Sequence, residues 1–152
     1  MDQFVNIGII GAGRIAKVHA ATLAYRIPSA RVLAIADVNL AAAQGVAAQF
    51  NIPSATADAA DILNNPAIDA VLICSITSTH APFIEAAAAA GKHIFCEKPI
   101  ALQLPQIDAA LAAVEKAGVK LQIGFNRRFD ANFARVRSAV ASGEIGQSAL
   151  LH

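Results

Sequence analysis

The sequence predicts an α/β protein built on a doubly wound parallel sheet, and three observations predict it. Short, almost continuous apolar runs recur along the chain, as strands covered on both faces require. These runs alternate with longer, alanine-rich amphipathic stretches that read as helices. A glycine turn, Gly11-Ala12-Gly13, joins the first run directly to the first helix. Because crossovers between parallel strands are right-handed, repeated units of this kind place helices on both faces of one sheet.

The elements follow in order. Val5 to Ile10 is a buried strand interrupted only by Asn6 and Gly8, and a helix runs from Arg14 to Tyr25, with Pro28 closing the connection. Val32 to Ala36 is the second strand, stopped by Asp37; Asn39 caps a helix reaching Phe50, with Pro53 beyond it. Ser54 to Thr56 is a short strand, and Asp58 opens a turn or two of helix ending at Asn64-Asn65-Pro66. Ala70 to Cys74 is a strand, Pro82 to Ala90 a helix closed by Gly91, and His93 to Cys96 a further strand. Ile107 to Ala117 is a helix with Gly118 where a left-handed cap belongs, and Lys120 to Gly124 is the next strand. A polar helix over Asn132 to Ser142 leads to Gln147 to His152, which reads as the opening of a new strand.

Composition narrows the function classes. The 152 residues suit one main domain, and 56% of them are apolar without any run long enough to cross a membrane. A net charge of +1 with no basic or acidic block gives no nucleic-acid or membrane surface. The N-terminus lacks the basic and apolar regions of a secretory signal, so the reading is cytoplasmic. Cys74 and Cys96 each end a strand and show no CxxC spacing, so they read as buried free thiols; no metal site is expected.

Gly11-Ala12-Gly13-Arg14-Ile15-Ala16 fits the pattern G-x-G-x-x-(G/A) between a strand and a helix. Gly11 allows the tight turn, Gly13 lets a pyrophosphate approach the backbone, and Ala16 keeps helix and sheet close. The phosphates would sit on the unpaired N–H groups at the helix start, beside Arg14 and Ile15. Asp37 lies about 25 residues on, where a carboxylate can accept both adenosine ribose hydroxyls; a helix cap or turn residue is its other reading. Together they give a Rossmann NAD(P)-binding fold. The acid repels a 2′-phosphate, so NAD is favoured over NADP, although Arg14 could offset part of that repulsion.

Further motifs carry a family resemblance. Gly11-x-Gly13-Arg14-Ile15-Ala16-x-x-His19, Thr77-Ser78-Thr79-His80 and Phe95-Cys96-Glu97-Lys98-Pro99 resemble the glucose–fructose oxidoreductase/inositol dehydrogenase/rhizopine-catabolism (Gfo/Idh/MocA) family. Gly124-Phe125-Asn126-Arg127-Arg128-Phe129-Asp130 is most similar to its inositol 2-dehydrogenase branch, with a departure at Asn126, where that branch most often has methionine. The match runs through the chain but covers only the N-terminal half of the family's architecture. Residues 1–124 are thus read as the dinucleotide-binding domain. Residues 125–152 are read as the linking helix and first strand of a truncated substrate domain.

The resemblance implies roles residue by residue. Lys98 would reach the reacting hydroxyl and the nicotinamide ribose, its charge stabilising a developing alkoxide. Ser75, Ile76 and Thr77 would line the nicotinamide side of the cleft. His80 has three readings: a cap for the next helix, a cofactor contact, or filling beneath the loop. Glu97 resembles the family's cofactor-side carboxylate, or orients Lys98 as an ion pair. Arg127 matches a position that contacts polyol substrate, where a fork of donors suits adjacent hydroxyls; Arg128 reads as a solvated or interdomain charge. The implied enzyme is a homo-oligomer that oxidises a secondary alcohol of a cyclitol or sugar, foremost myo-inositol, with NAD. The family's Asp-x-x-x-His proton relay has no counterpart after Lys98, so the chain alone is expected to be inactive. The alternative is a stand-alone, non-catalytic dinucleotide-binding or sensor module.

Overall fold

The computed structural model describes residues 4–147. Its six strands are all parallel, β1 (Val5–Ile10), β2 (Ala30–Ala36), β3 (Ser54–Thr56), β4 (Ala70–Ile73), β5 (His93–Cys96) and β6 (Leu121–Ile123). They lie in the order β3-β2-β1-β4-β5-β6, so the chain winds outward in both directions from β1, as the alternation of elements required. The helices are α1 (Arg14–Arg26), α2 (Leu40–Phe50), α3 (Ala60–Leu63), α4 (His80–Ala89), α5 (Leu104–Ala117) and α6 (Ala131–Ala141).

Adjacent strand residues point to opposite faces, and the core divides accordingly. Ile9, Ile35 and Leu72 pack against Ala16 and Ala20 of α1 and Val46 of α2. Ile10, Ala36, Val71 and Ile73 pack on the other face, against Ile62 of α3, Ile84 of α4 and Ala110 of α5. Small alanines at the helix contacts bring the helices close to the sheet. Ile9 and Ile73 are fully enclosed, and cutting either to alanine would cost about 2–5 kcal/mol. Gly8, the break in the first apolar run, sits where the Ile62 side chain presses on β1, so a Cβ there has no room.

The helix ends show why the boundaries fall where they do. The Asn39 side chain accepts the Ala42 N–H at the start of α2, and Gly118 closes α5 at φ 66°. Three helices begin earlier than the sequence predicts, α6 by one residue and α4 and α5 by two and three. Pro82 lies within the first turn of α4 and Pro105 at the start of α5, positions where the missing N–H costs nothing.

After β6 the chain makes a short 3-10 turn over Asn126–Phe129 and enters α6, capped by Asp130. Phe129, Phe133 and Val136 are exposed there. The strand expected over Gln147 to His152 falls, apart from Gln147, outside the described residues. No described helix is long and apolar enough to cross a membrane.

Candidate functional site

The chain leaves β1 and β4 toward opposite faces of the sheet, so a crevice opens between their carboxyl ends, the place where open α/β sheets bind ligands. The loops after all six parallel strands leave this edge, and those after β1, β2, β4, β5 and β6 carry the candidate residues.

Gly11 adopts φ 101°, and a Cβ on it would lie 2.6 Å from the carbonyl carbon and oxygen of Cys74. Its requirement is therefore double: a left-handed turn, and direct contact with the backbone leaving β4. Gly13 differs, with φ −74° and nothing within 4 Å of where its Cβ would stand. Beside that open side, the N–H groups of Arg14, Ile15 and Ala16 have no acceptor among the described residues, and no side chain caps α1. Nor is there an acid in the first turn of α1; exposed Arg14 stands there instead. A cation at a helix N-terminus opposes the dipole by about 0.3–1 kcal/mol, a cost that a bound anion reverses. The open Gly13 side, the free N–H groups and the guanidinium together fit a dinucleotide pyrophosphate.

Asp37 is tied into the same turn. Its Oδ2 accepts the Ala12 N–H at 2.7 Å and its Oδ1 accepts the Asn39 N–H at 2.9 Å. The turn reading of this residue is thus realised, and each carboxylate oxygen keeps a lone pair for a ribose hydroxyl.

In the loop after β4, the Ser75 and Thr79 hydroxyls share a 2.7 Å hydrogen bond, and Thr77 opens a 3-10 turn leading into α4. The His80 ring is 2% exposed, with Nδ1 2.7 Å from the Pro99 carbonyl oxygen and Nε2 3.0 Å from that of Ser75. It clasps the loops after β4 and β5 together, and has no free nitrogen to offer a cofactor in this arrangement.

Lys98 follows β5, exposed, and its peptide bond to Pro99 is cis. Glu97 makes no ion pair with it. Instead, Glu97 Oε1 lies 2.8 Å from Nε2 of His19 on α1, while Oε2 accepts the Lys98 backbone N–H at 3.3 Å. Gly124 at the end of β6 closes the other side, since a Cβ there would stand 3.1 Å from Oε1. Sequence reasoning noted His19 within the glycine motif but gave it no role; its partner lies 78 residues away, beyond any local pattern.

Arg127, in the 3-10 turn, stacks its guanidinium 4.8 Å from the centre of the Phe133 ring. Arg128 is exposed beside it. Cys74 and Cys96 are buried free thiols, both pushed up to about 12 by burial first and by the nearby Glu97 carboxylate second. A separate concavity of about 530 Å³ lies over β4, β5 and β6 on the α1 face, lined by Leu23, Leu72 and Phe95. Of its lining residues, His19 also reaches Glu97 just after β5, whereas the convergent polar groups lie at the crevice.

Residues 5–125 match an oxidoreductase family described by its NAD-binding Rossmann fold, Gfo/Idh/MocA. The chain is 46% identical over 143 residues to an inositol 2-dehydrogenase of Rhizobium meliloti, spanning 94% of this chain and 42% of that protein. It is 47% identical to an uncharacterised oxidoreductase of Bacillus subtilis, spanning 99% of this chain and 44% of that protein. A scyllo-inositol dehydrogenase from Lactobacillus casei, solved with NAD(H) and scyllo-inositol, superposes with a TM-score of 0.88 at 34% identity. That superposition covers 95% of this chain and 43% of the neighbour. The chain therefore spans less than half the length of the relatives it matches.

Proposed function

Because the chain belongs to the Gfo/Idh/MocA oxidoreductase family and carries its NAD-binding Rossmann fold, we propose that it supplies the cofactor half of a cyclitol or sugar dehydrogenase. The reaction is oxidation of a secondary alcohol, with myo-inositol the leading substrate, since inositol 2-dehydrogenases recur among the relatives. The observation that carries this reading is the convergence of the open Gly13 turn, Asp37 and Lys98 on one crevice. Bound NAD supplies the hydride acceptor.

The chain's own residues divide the remaining work. Gly11 and Gly13 shape the turn; the Arg14, Ile15 and Ala16 N–H groups and the Arg14 guanidinium bind the pyrophosphate. Asp37 binds the adenosine ribose and disfavours a 2′-phosphate, which makes NAD the preferred cofactor over NADP. Ser75, Thr77 and Glu97 line the nicotinamide side, with His80 fixing the loops that carry Ser75 and Lys98. The Lys98 ammonium stabilises negative charge on the substrate oxygen, and Arg127 donates to substrate hydroxyls. Residues 125–152 lead toward a substrate domain of the kind that makes up the rest of the relatives' length, and that domain provides the base.

Titration of the chain with NADH, followed by fluorescence, tests the cofactor assignment: saturable binding, weaker for NADPH, is expected. In a longer protein that includes a substrate domain, myo-inositol oxidation is expected, and Lys98→Ala abolishes it. Failure of the chain to bind NADH, or normal turnover by the Lys98→Ala enzyme, overturns the proposal.

A further inference from the structure

Glu97 and Lys98 stand next to each other at the carboxyl end of β5, and the acid is engaged away from the lysine. Glu97 Oε1 is 2.8 Å from His19 Nε2, with the two side chains 15% and 24% exposed. The His19 ring is itself fixed edge-on to Phe95, centroids 5.3 Å apart and planes at 65°. Gly124 brackets the carboxylate from the β6 side, with a hypothetical Cβ 3.3 Å from Cδ and Oε2. Among the described residues, Lys98 has no ion-pair partner. Three elements, α1, β5 and the end of β6, thus hold one carboxylate in place.

We propose that His19 is a positioning residue that holds the Glu97 carboxylate away from the Lys98 ammonium, leaving the lysine free to face the substrate oxygen. The role of Lys98 in chemistry rests on the function proposed above; the arrangement of the three side chains does not. With the imidazole gone, Glu97 loses its only side-chain donor among the described residues, while its Oε2 still accepts the backbone N–H of Lys98, the cation next to it in the chain. A carboxylate within about 4–6 Å makes an ammonium hold its proton more tightly, by on the order of tenfold or more.

Competitive acetylation, read by peptide mass spectrometry, measures how readily the Lys98 amine reacts, with exposed Lys116 as the internal standard. In His19→Ala, Lys98 labelling near neutral pH falls on the order of tenfold. In His19→Gln, whose amide can still donate to Glu97, labelling stays at the parent level. In His19→Ala/Glu97→Gln it recovers. Unchanged labelling in His19→Ala, or a loss that persists in the double variant, overturns the proposal. Nitrogen-15 NMR of the unmodified chain provides a check that needs no variant: His19 Nε2 must carry a proton, and a bare Nε2 facing Glu97 also overturns it. Neither measurement uses a cofactor, so their failure is distinct from failure of the NADH titration.

Discussion

The Asp37 carboxylate accepts the Ala12 N–H at 2.7 Å, so the acid after β2 builds the glycine turn in addition to the ribose role proposed for it. Ala12 is buried, at 4% exposure, and removal of the acceptor leaves its N–H without a protein partner. Asp37→Ala should therefore cost about 1–3 kcal/mol of stability, seen as a thermal midpoint several degrees lower. Asp37→Asn, which keeps one carbonyl acceptor, should fall between. In fluorescence titrations both variants should bind NADH more weakly while the relative affinity for NADPH rises. Unaltered stability in Asp37→Ala would show that the hydrogen bond is dispensable.

Gly11 and Gly13 should respond oppositely to alanine. At Gly11 a Cβ meets the φ 101° backbone and the Cys74 carbonyl at 2.6 Å. Strain alone costs about 1–3 kcal/mol, and a backbone clash adds to it, so Gly11→Ala should unfold at markedly lower urea. At Gly13 the Cβ enters empty space at φ −74°. Gly13→Ala should unfold like the parent, yet bind NADH at least tenfold more weakly. Equal NADH affinity in Gly13→Ala would remove the pyrophosphate from that side of the turn.

The fold was legible wherever its cause is local. Val5–Ile10 and His93–Cys96 match the strands read from the sequence, because burial on both faces leaves a mostly apolar run; Ser54–Thr56 also matches, although it is neither an apolar run nor buried. The Asn39 cap and the left-handed Gly118 are similarly local signals. The start of α4 was misplaced from His80 to Pro82 because a proline is equally at home anywhere in a first turn. The pairing of Glu97 with His19 rather than Lys98 was not legible. It depends on α1 and β5 meeting across the sheet, and spacing along the chain carries no trace of that.

The two thiols make stability depend on alkaline pH in a defined direction. Burial holds both in the neutral form, up to about 12, whereas an unfolded thiol ionises from about 9. Between those values the unfolded chain binds fewer protons than the native one, so stability falls as pH rises from about 9 to about 12 and is unaffected below about 9. Urea unfolding of the parent and of Cys74→Ala/Cys96→Ala across this range isolates the effect, because the remaining titrating groups are common to both. The parent should lose stability more steeply. Identical slopes, or reaction of either native thiol with a disulfide reagent near neutral pH, would contradict the burial.

The α6 helix exposes Phe133, Val136 and Val140, at 47%, 46% and 41%, and Phe129 just before it is 79% exposed. Spacing of three and four residues sets the helix residues in one stripe, so the helix presents an apolar face with no cover among the described residues. Its first turn is held apart from that face, because Asp130 Oδ1 accepts the Asn132 and Phe133 N–H groups at 2.9 and 3.1 Å. Contiguous apolar surface of this kind drives association, so light scattering should show the mass rising with concentration. Phe129→Ser/Val136→Ser/Val140→Ser should hold the chain monomeric without loss of helix by circular dichroism, while sparing the Phe133 ring on which Arg127 stacks. Amide exchange distinguishes the two states: residues 131–141 should exchange rapidly in dilute monomer and slow as association proceeds. Strong protection in the dilute monomer would mean that the stripe already has an intramolecular cover, and association would then require that cover to be displaced first.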